Sequence, residues 1–275
     1  MRKVALPTLH GKGAQIIPAL QALGEYEVIE VAIDTDSFGT FSGEKERELT
    51  PLDAAIAKAR LAMEVTGFDS AIASEGSIGN DPQIPFIISD REVVVFVDQR
   101  EDLIIHESYR SFEIVAARME FKVGDDLDDF LTRADFPNHK LIVTARQDDG
   151  LFVAKGIESR ESLDQSLNEA LSKSKDGIAI IESDLRAHCS PSRQVNIEKA
   201  ARLLAERMAQ RCPQCDCIGW GRIDFEFGVE CRECGQIDER VAKREINGCL
   251  RCSHRACGKV LREMIDAGEC QRCNP

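Results

Sequence analysis

The arrangement of cysteines constrains this chain more than any other feature: ten of the eleven fall between Cys212 and Cys273, and eight of them form four C-x2-C pairs. Two thiolates in a tight C-x2-C turn can occupy adjacent corners of a tetrahedron, so four such pairs can close around two metal ions. Four sulfurs with no open position make a structural site rather than a catalytic one. Taken in chain order, Cys212, Cys215, Cys231 and Cys234 are expected to hold one zinc, and Cys249, Cys252, Cys270 and Cys273 a second. Fifteen residues separate the two pairs of the first set and seventeen those of the second. Within the first connector, residues 219–227 alternate apolar and polar side chains, as a hairpin that brings the second pair back to the first should. His254 and Cys257 are spare ligands for the second site, while Cys189 and Cys217 read as buried free cysteines. The expectation for residues 211–275 is a small double zinc-ribbon domain.

Cysteines clustered for metal belong to a reducing compartment. No apolar run reaches the roughly 18–20 residues of a membrane helix, and the basic start, MRKVALPTLHGKG, lacks the apolar stretch of a secretory signal. The expected location is therefore the cytoplasm, with no membrane partner. The formal charge of −13 is carried almost entirely ahead of the cysteines: residues 212–275 hold ten Lys/Arg against eleven Asp/Glu, and residues 1–211 hold 25 against 37. Neither part is basic, as a phosphate-backbone grip would be, so nucleic acid is not the expected partner.

Residues 1–210 alternate apolar extended runs with helical patterns, which predicts an α/β domain. Strands are expected at 3–6, 26–33, 70–74, 92–97, 103–107, 113–118, 141–145 and 178–182. The adjacent runs 92–97 and 103–107 predict an antiparallel hairpin and hence a mixed sheet. Thr50-Pro51 and Ser190-Pro191 are N-cap and first-turn pairs, placing helices at 50–65 and 191–210. Leu163, Leu167 and Leu171 recur at spacing four within a helix over 160–173, and an acidic helix is expected near 125–132.

Three segments carry candidate chemistry. The first strand leads through Pro7-Thr8-Leu9-His10-Gly11-Lys12-Gly13 into a helix containing Ile16, Ile17 and Leu20. A glycine-bearing turn with a lysine at a helix N-terminus can cradle phosphate, although a plain βα turn has the same form. The second segment places Asp53 near a helix start and Glu75 just past a strand's carboxyl end, where α/β domains set their sites; the two could share magnesium or manganese. In the third, an extended stretch from the strand at 178–182 would align Glu182, Asp184, Arg186 and His188 on one side by the period of two. The bland alternatives are a helix-dipole role for Asp53, a solvated face for Lys58 and Arg60, and a surface ion pair between Asp184 and Arg186.

The first two segments resemble the inosine triphosphate pyrophosphatase family, on Thr8-Leu9-His10-Gly11-Lys12 with His10 in place of the family's asparagine. Thr50, Asp53, Ala55, Lys58, Ala59 and Arg60, followed by Thr66-Gly67, keep the family's offsets. Where that family carries paired aspartates, this chain has Ala73-Ser74-Glu75-Gly76-Ser77, with one acid. The resemblance implies a pyrophosphatase-like fold. It implies phosphate on Lys12 and metal or water on Asp53 and Glu75, with Thr8, His10, Lys58 and Arg60 at the matching motif positions; Ser77 beside Glu75, and Asp184, Arg186 and His188 of the third segment, which could grip a nucleotide, are candidates by their placement. Arg193, at the start of the last helix of the domain, is loosely similar to a substrate-contacting arginine. Nearly the whole chain also looks like an uncharacterised bacterial family, which shares His10-Gly11-Lys12, Asp34-Thr35-Asp36-Ser37-Phe38-Gly39-Thr40-Phe41, Ala57-Lys58-Ala59-Arg60, Ser74-Glu75-Gly76-Ser77, the stretch from Glu182 to Arg193, and paired zinc ribbons.

Together these features lead to the expectation of a metal-dependent nucleoside triphosphate pyrophosphatase-like hydrolase with two structural zinc ions. The rival expectation is a non-catalytic nucleotide-binding or scaffolding protein that meets a protein partner through its ribbons. A homodimer is compatible with either.

Overall fold

A computed structural model describes residues 1–9, 11–33 and 49–275. His10, Asp34, Asp36 and the turn from Phe38 to Phe41 lie outside the described residues. The chain divides into two compact units, one of Met1–Asp102 with His106–Leu204 and one of Leu103–Ile105 with Ala205–Pro275. Among the described residues no helix is long and apolar enough to cross a membrane.

The first unit opens with β1 (Arg2–Pro7), α1 (Gly13–Gln21), β2 (Tyr26–Val31), α2 (Pro51–Thr66), β3 (Ser70–Asn80), β4 (Ile88–Asp98) and β5 (Leu103–Ser111). These strands form a sheet in the order β2-β1-β3-β4-β5. β1 runs parallel to β2 and β3, whereas β3 and β4 pair antiparallel from Ser70 opposite Asp98 to Asn80 opposite Ile88. The sheet is therefore mixed. Ala5 of β1 lies opposite Ala71, so β1 ends near the middle of β3 and the turn after it occupies the edge of β3 beyond that point. α2 begins where Thr50, in extended geometry, accepts a hydrogen bond from the Asp53 amide at 3.2 Å and Pro51 takes the first turn. It stops at Gly67, whose φ of 70° is a left-handed conformation that glycine adopts freely. Its buried face is mostly small, with Ala54, Ala55, Ala59 and Ala62, so the helix axis comes close to the sheet. Lys58 shares that face.

A second sheet is built from β6 (Arg118–Phe121), β7 (Leu141–Gln147), β8 (Gly150–Ile157) and β9 (Ala179–Ser183), ordered β6-β9-β7-β8 with antiparallel pairs throughout. α3 (Asp128–Arg133) and α4 (Arg160–Lys173) supply Phe130, Leu163 and Leu167 to a core with Leu141, Val143 and Ile181. The acidic helix expected near 125–132 is thus shorter and displaced toward its C-terminal end. The strand expected at 113–118 does not form over residues 113–117: β5 ends at Ser111 and β6 begins at Arg118, and the amides of Val115 and Ala117 donate to the Ser192 and Ser183 hydroxyls, at 3.1 and 3.0 Å, while the Ala117 carbonyl accepts from the Ser183 amide of β9 at 2.9 Å. α5 (Pro191–Ala209) closes the first unit and continues into the second.

The second unit carries β10 (Gly221–Cys231), β11 (Ile237–Gly248), β12 (Arg255–Val260) and β13 (Met264–Ile265), ordered β12-β11-β10-β13. β10 and β11 form one long antiparallel hairpin, with Gly221 opposite Gly248 at its open end and Glu230 opposite Ile237 at its tip. Residues 219–227 are accordingly one arm of a hairpin and not a complete one.

Candidate functional site

The hairpin re-pairs the cysteines. Because β10 is a single extended strand of 11 residues, it separates its two ends by about 33 Å, and Cys231 cannot return to Cys215. Cys212 and Cys215 instead meet Cys249 and Cys252, delivered to the open end by β11, while Cys231 and Cys234 at the tip meet Cys270 and Cys273. β12 turns back along β11, and β13 then pairs with the far end of β10, Cys231 opposite Ile265, which carries the last pair to the tip. The eight ligands are those expected, but their partnership is interleaved and not consecutive.

The sulfurs fit zinc. Tetrahedral Zn–S bonds of about 2.3 Å place sulfurs about 3.8 Å apart. The separations are 3.7 Å for Cys212–Cys252, 3.5 Å for Cys215–Cys249, 4.0 Å for Cys231–Cys273 and 3.7 Å for Cys234–Cys270. Amides of Arg251 and Cys252 donate to the Cys249 sulfur at 3.3 and 3.4 Å, which favours a thiolate there. Neither spare ligand joins: His254 stacks on Trp220 with ring centroids 5.1 Å apart, and Cys257 is exposed. Cys189 and Cys217 are buried. Each set of sulfurs lies in its own small core, one with Leu103, Cys217, Ile218 and Trp220, the other with Val229, Val241 and Ile265. Cores of this size need a metal to hold them.

In the first unit the structure gathers charged side chains around the middle of β3. Glu75 is not past a strand end; β3 continues to Asn80, and Glu75 sits inside it, 5% exposed, with an oxygen 2.6 Å from the Lys58 ammonium. Side chains alternate across a strand, so Gly76 and Glu92, which face each other in the register, lie on the opposite face of the sheet from Glu75 and Val93. There Arg193 pairs with Glu92, and both are almost completely buried. A Cβ on residue 76 would stand 2.5 Å from the Arg193 guanidinium and from a Glu92 oxygen, so glycine makes room for the pair. Arg193 also donates to the Leu185 carbonyl at 2.6 Å. At the strand edge, where β1 has ended, the Lys12 ammonium donates to the Ser74 carbonyl at 3.1 Å and hydroxyl at 3.0 Å. Burial, followed by the nearby Arg193 charge, lowers the Lys12 pKa to about 8, against the smaller pull of Glu75 and Glu92.

The other candidates are dispersed. Thr8 accepts from the Lys12 amide at 3.3 Å and belongs to the same turn. Asp53 is exposed and accepts from the Thr50 hydroxyl at 2.6 Å, so its carboxylate serves the start of α2 while Glu75 faces Lys58. Arg60 and Ser77 are exposed. The row expected from Glu182 to His188 does not form, because β9 ends at Ser183 and residues Ala187–Cys189 make a 3-10 turn. Asp184 is fully buried and bonded to Arg186 at 2.5 Å; burial would raise its pKa, but that guanidinium holds it below the usual carboxylate range. His188 is exposed, and its pKa is lowered by partial desolvation and by Arg186.

Asp90 and Glu92 are the acids that the sequence reading missed. Two acids at positions i and i+2 beside Val93-Val94-Val95 are costly in a central strand unless paired, and that was the available signal. Asp90 accepts from the Asn196 side chain at 2.9 Å, and its second, buried oxygen has no donor among the described residues. Burial, then the neighbouring Glu92 charge, raises its pKa to about 7. The folded chain therefore holds a proton on Asp90 that the unfolded chain releases near pH 4. The stability this provides is complete below about pH 4 and is lost as pH rises toward 7. Urea unfolding of zinc-replete protein between pH 5 and 8 should show this slope in the wild type relative to Asp90→Asn, in which it disappears.

No curated protein matches the chain. Residues 58–275 match the family described as a domain of unknown function, DUF6671, a span that takes in Lys58, Glu75, Glu92, Arg193 and all eight metal-site cysteines while leaving Lys12 outside it. The chain, a mixed α/β protein whose cysteines form two four-sulfur sites compatible with zinc, belongs to this family.

Proposed function

We propose that the first unit binds the phosphates of a nucleoside triphosphate and hydrolyses it to the monophosphate and pyrophosphate. The observation that carries this reading is the Lys12 ammonium at the sheet edge where the parallel strand β1 ends, the place where open α/β sheets take ligands, flanked by the Lys58–Glu75 pair on one face and the Arg193–Glu92 pair on the other. Lys12 is the cation best prepared for an anion, since among the described residues no carboxylate bonds to it and its burial cost falls when phosphate arrives. A phosphate drawing on Lys58 would release Glu75 to orient the attacking water. Magnesium or manganese, entering with the triphosphate, would neutralise its oxygens. A cavity of about 210 Å³, lined by Ile78, Ile88, Ile142 and Leu185 with Arg118 and Glu182 and joined to Arg193 through the Leu185 carbonyl, would offer a base apolar walls and polar groups. The likeness to the inosine triphosphate pyrophosphatases at Lys12 and Lys58 supports the same reading.

A second reading, a binding or scaffolding protein without catalysis, is favoured by the closed Lys58–Glu75 pair, which leaves the single acid of β3 occupied. The zinc-bearing unit would then meet a protein partner. The test is incubation of zinc-replete protein with magnesium or manganese and a panel of standard and deaminated nucleoside triphosphates, measuring released pyrophosphate and orthophosphate. Pyrophosphate release that Glu75→Gln lowers at least about 100-fold, roughly 2.7 kcal/mol of barrier, supports the hydrolase. Silence across the panel with nucleotide still bound favours the second reading. Pyrophosphate affinity should weaken above about pH 8, where Lys12 loses its proton in the free site, by up to about tenfold per pH unit; Lys12→Met should abolish that dependence.

A further inference from the structure

His139 is 4% exposed and belongs to neither sheet, yet both of its ring nitrogens are engaged. Nδ1 lies 2.8 Å from an Asp135 oxygen, and Nε2 lies 2.9 Å from the Ser192 hydroxyl. The Ser192 amide also donates to Nε2 at 3.1 Å. A backbone N–H can only donate, so Nε2 must present its lone pair, and the ring proton sits on Nδ1, directed at Asp135. The Ser192 hydroxyl then donates to Nε2 while its oxygen accepts from the Val115 amide at 3.1 Å. Asp135 itself is held in left-handed backbone geometry, φ 49°, where aspartate is tolerated better than most residues.

This relay ends on the first turn of α5. Ser192 is followed at once by Arg193, which reaches Glu92 and the Leu185 carbonyl, and one turn later by Asn196, which reaches Asp90 and the Glu113 carbonyl at 3.3 Å. Helix amides in the first turn have no partner of their own, so the imidazole lone pair supplies what an N-cap side chain would supply. The 113–117 stretch, which lies between β5 and β6, is tied to the same hydroxyl through Val115.

We propose that Asp135, His139 and Ser192 form a positioning relay that fixes the N-terminus of α5 and thereby sets Arg193 and Asn196 against the acids of β4. His139 acts in the Nδ1–H tautomer and as a positioning residue; it touches no part of the candidate site. The consequence for phosphate binding rests on the function proposed above, whereas the relay itself does not. A guanidinium displaced by about 1 Å would no longer span Glu92 and the Leu185 carbonyl, and an anion that depends on the arrangement around it would bind less tightly.

The experiment uses full-length, zinc-replete protein and three variants, His139→Phe, His139→Gln and Ser192→Ala. Nitrogen-15 spectra of the wild-type ring should show an unprotonated Nε2 and a protonated Nδ1. Amide hydrogen exchange over residues 191–196 should accelerate at least tenfold in His139→Phe and recover in His139→Gln, whose side-chain oxygen can accept from the Ser192 amide. Ser192→Ala, which keeps the amide but removes the link to Val115, should give an intermediate rate. Binding of inorganic pyrophosphate with magnesium should weaken about tenfold in His139→Phe and be restored in His139→Gln. A protonated Nε2, or unchanged exchange in a folded His139→Phe protein, overturns the relay. Equal pyrophosphate affinity in wild type and His139→Phe overturns its link to the site. If the wild type itself fails to bind pyrophosphate, the phosphate reading falls, and the spectra and exchange rates still decide the relay.

Discussion

Replacing Cys212 and Cys215 by serine will leave one tightly held zinc per chain, and adding Cys249→Ser and Cys252→Ser will not lower that content further. Adding Cys231→Ser and Cys234→Ser instead will leave none. The two outcomes follow from the interleaved sets, Cys212, Cys215, Cys249 and Cys252 at the open end of the hairpin and Cys231, Cys234, Cys270 and Cys273 at its tip. Consecutive pairing would reverse both results, so zinc measured on desalted protein discriminates without a structure. The effect is large because a four-thiolate zinc contributes on the order of 10 kcal/mol to the fold around it. Each site has only a few apolar neighbours of its own, so removing both ions should unfold the second unit altogether, visible as loss of amide protection along β10 and β11. Retention of protection after complete chelation would show that the long hairpin stands without metal.

Arg193→Met should lower the stability of the first unit by about 3–5 kcal/mol, because it strands the Glu92 carboxylate in a site with no exposure to water. Methionine keeps much of the volume, so the loss reports the abandoned charge more than a cavity. Adding Glu92→Leu to the Arg193→Met protein should recover most of the loss, since a buried pair replaced on both sides by apolar residues is often close to neutral while one broken on a single side is not. Asp90, whose carboxyl is already pushed up to about 7 by burial and by Glu92, gains from the same second substitution. Urea unfolding of the three proteins at one pH decides the matter. A cost below about 1 kcal/mol for Arg193→Met would mean that Glu92 reaches water or a proton when its partner is gone.

Local signals in the sequence carried the elements and the metal ligands. Thr50-Pro51 and Ser190-Pro191 mark where α2 and α5 begin, because the proline ring acts on the first turn of each, and at α2 the Thr50 hydroxyl also accepts from the Asp53 amide. Leu163 and Leu167 mark the buried face of α4 for the same reason, a period that belongs to the helix alone. The C-x2-C pairs identified all eight sulfurs, since the turn geometry of a chelating pair lies within four residues.

What spacing could not convey was which pair meets which. A connector of fifteen residues allows either a hairpin or a single strand, and the choice was made by the ladder between β10 and β11, whose partner residues come from beyond the second pair. Residues 113–117 have strand-like composition but lie between β5 and β6, and their Val115 and Ala117 amides are taken by the hydroxyls of Ser192 and Ser183 from distant segments. The candidate site follows the same rule. Lys12 and Lys58 could be read from the sequence as cations near a helix start and on a helix, but their association with Glu75, Glu92 and Arg193 depends on where β1 stops along β3 and on the face to which each strand residue points. By itself the sequence determined the starts of α2 and α5, the cysteines of the two four-sulfur sites and the mixture of helix and strand, because those are written over a few neighbouring residues. Only the tertiary structure decided the metal pairing and the meeting of the buried charges, because both depend on contacts between residues far apart along the chain, where strand register and not spacing determines the partner.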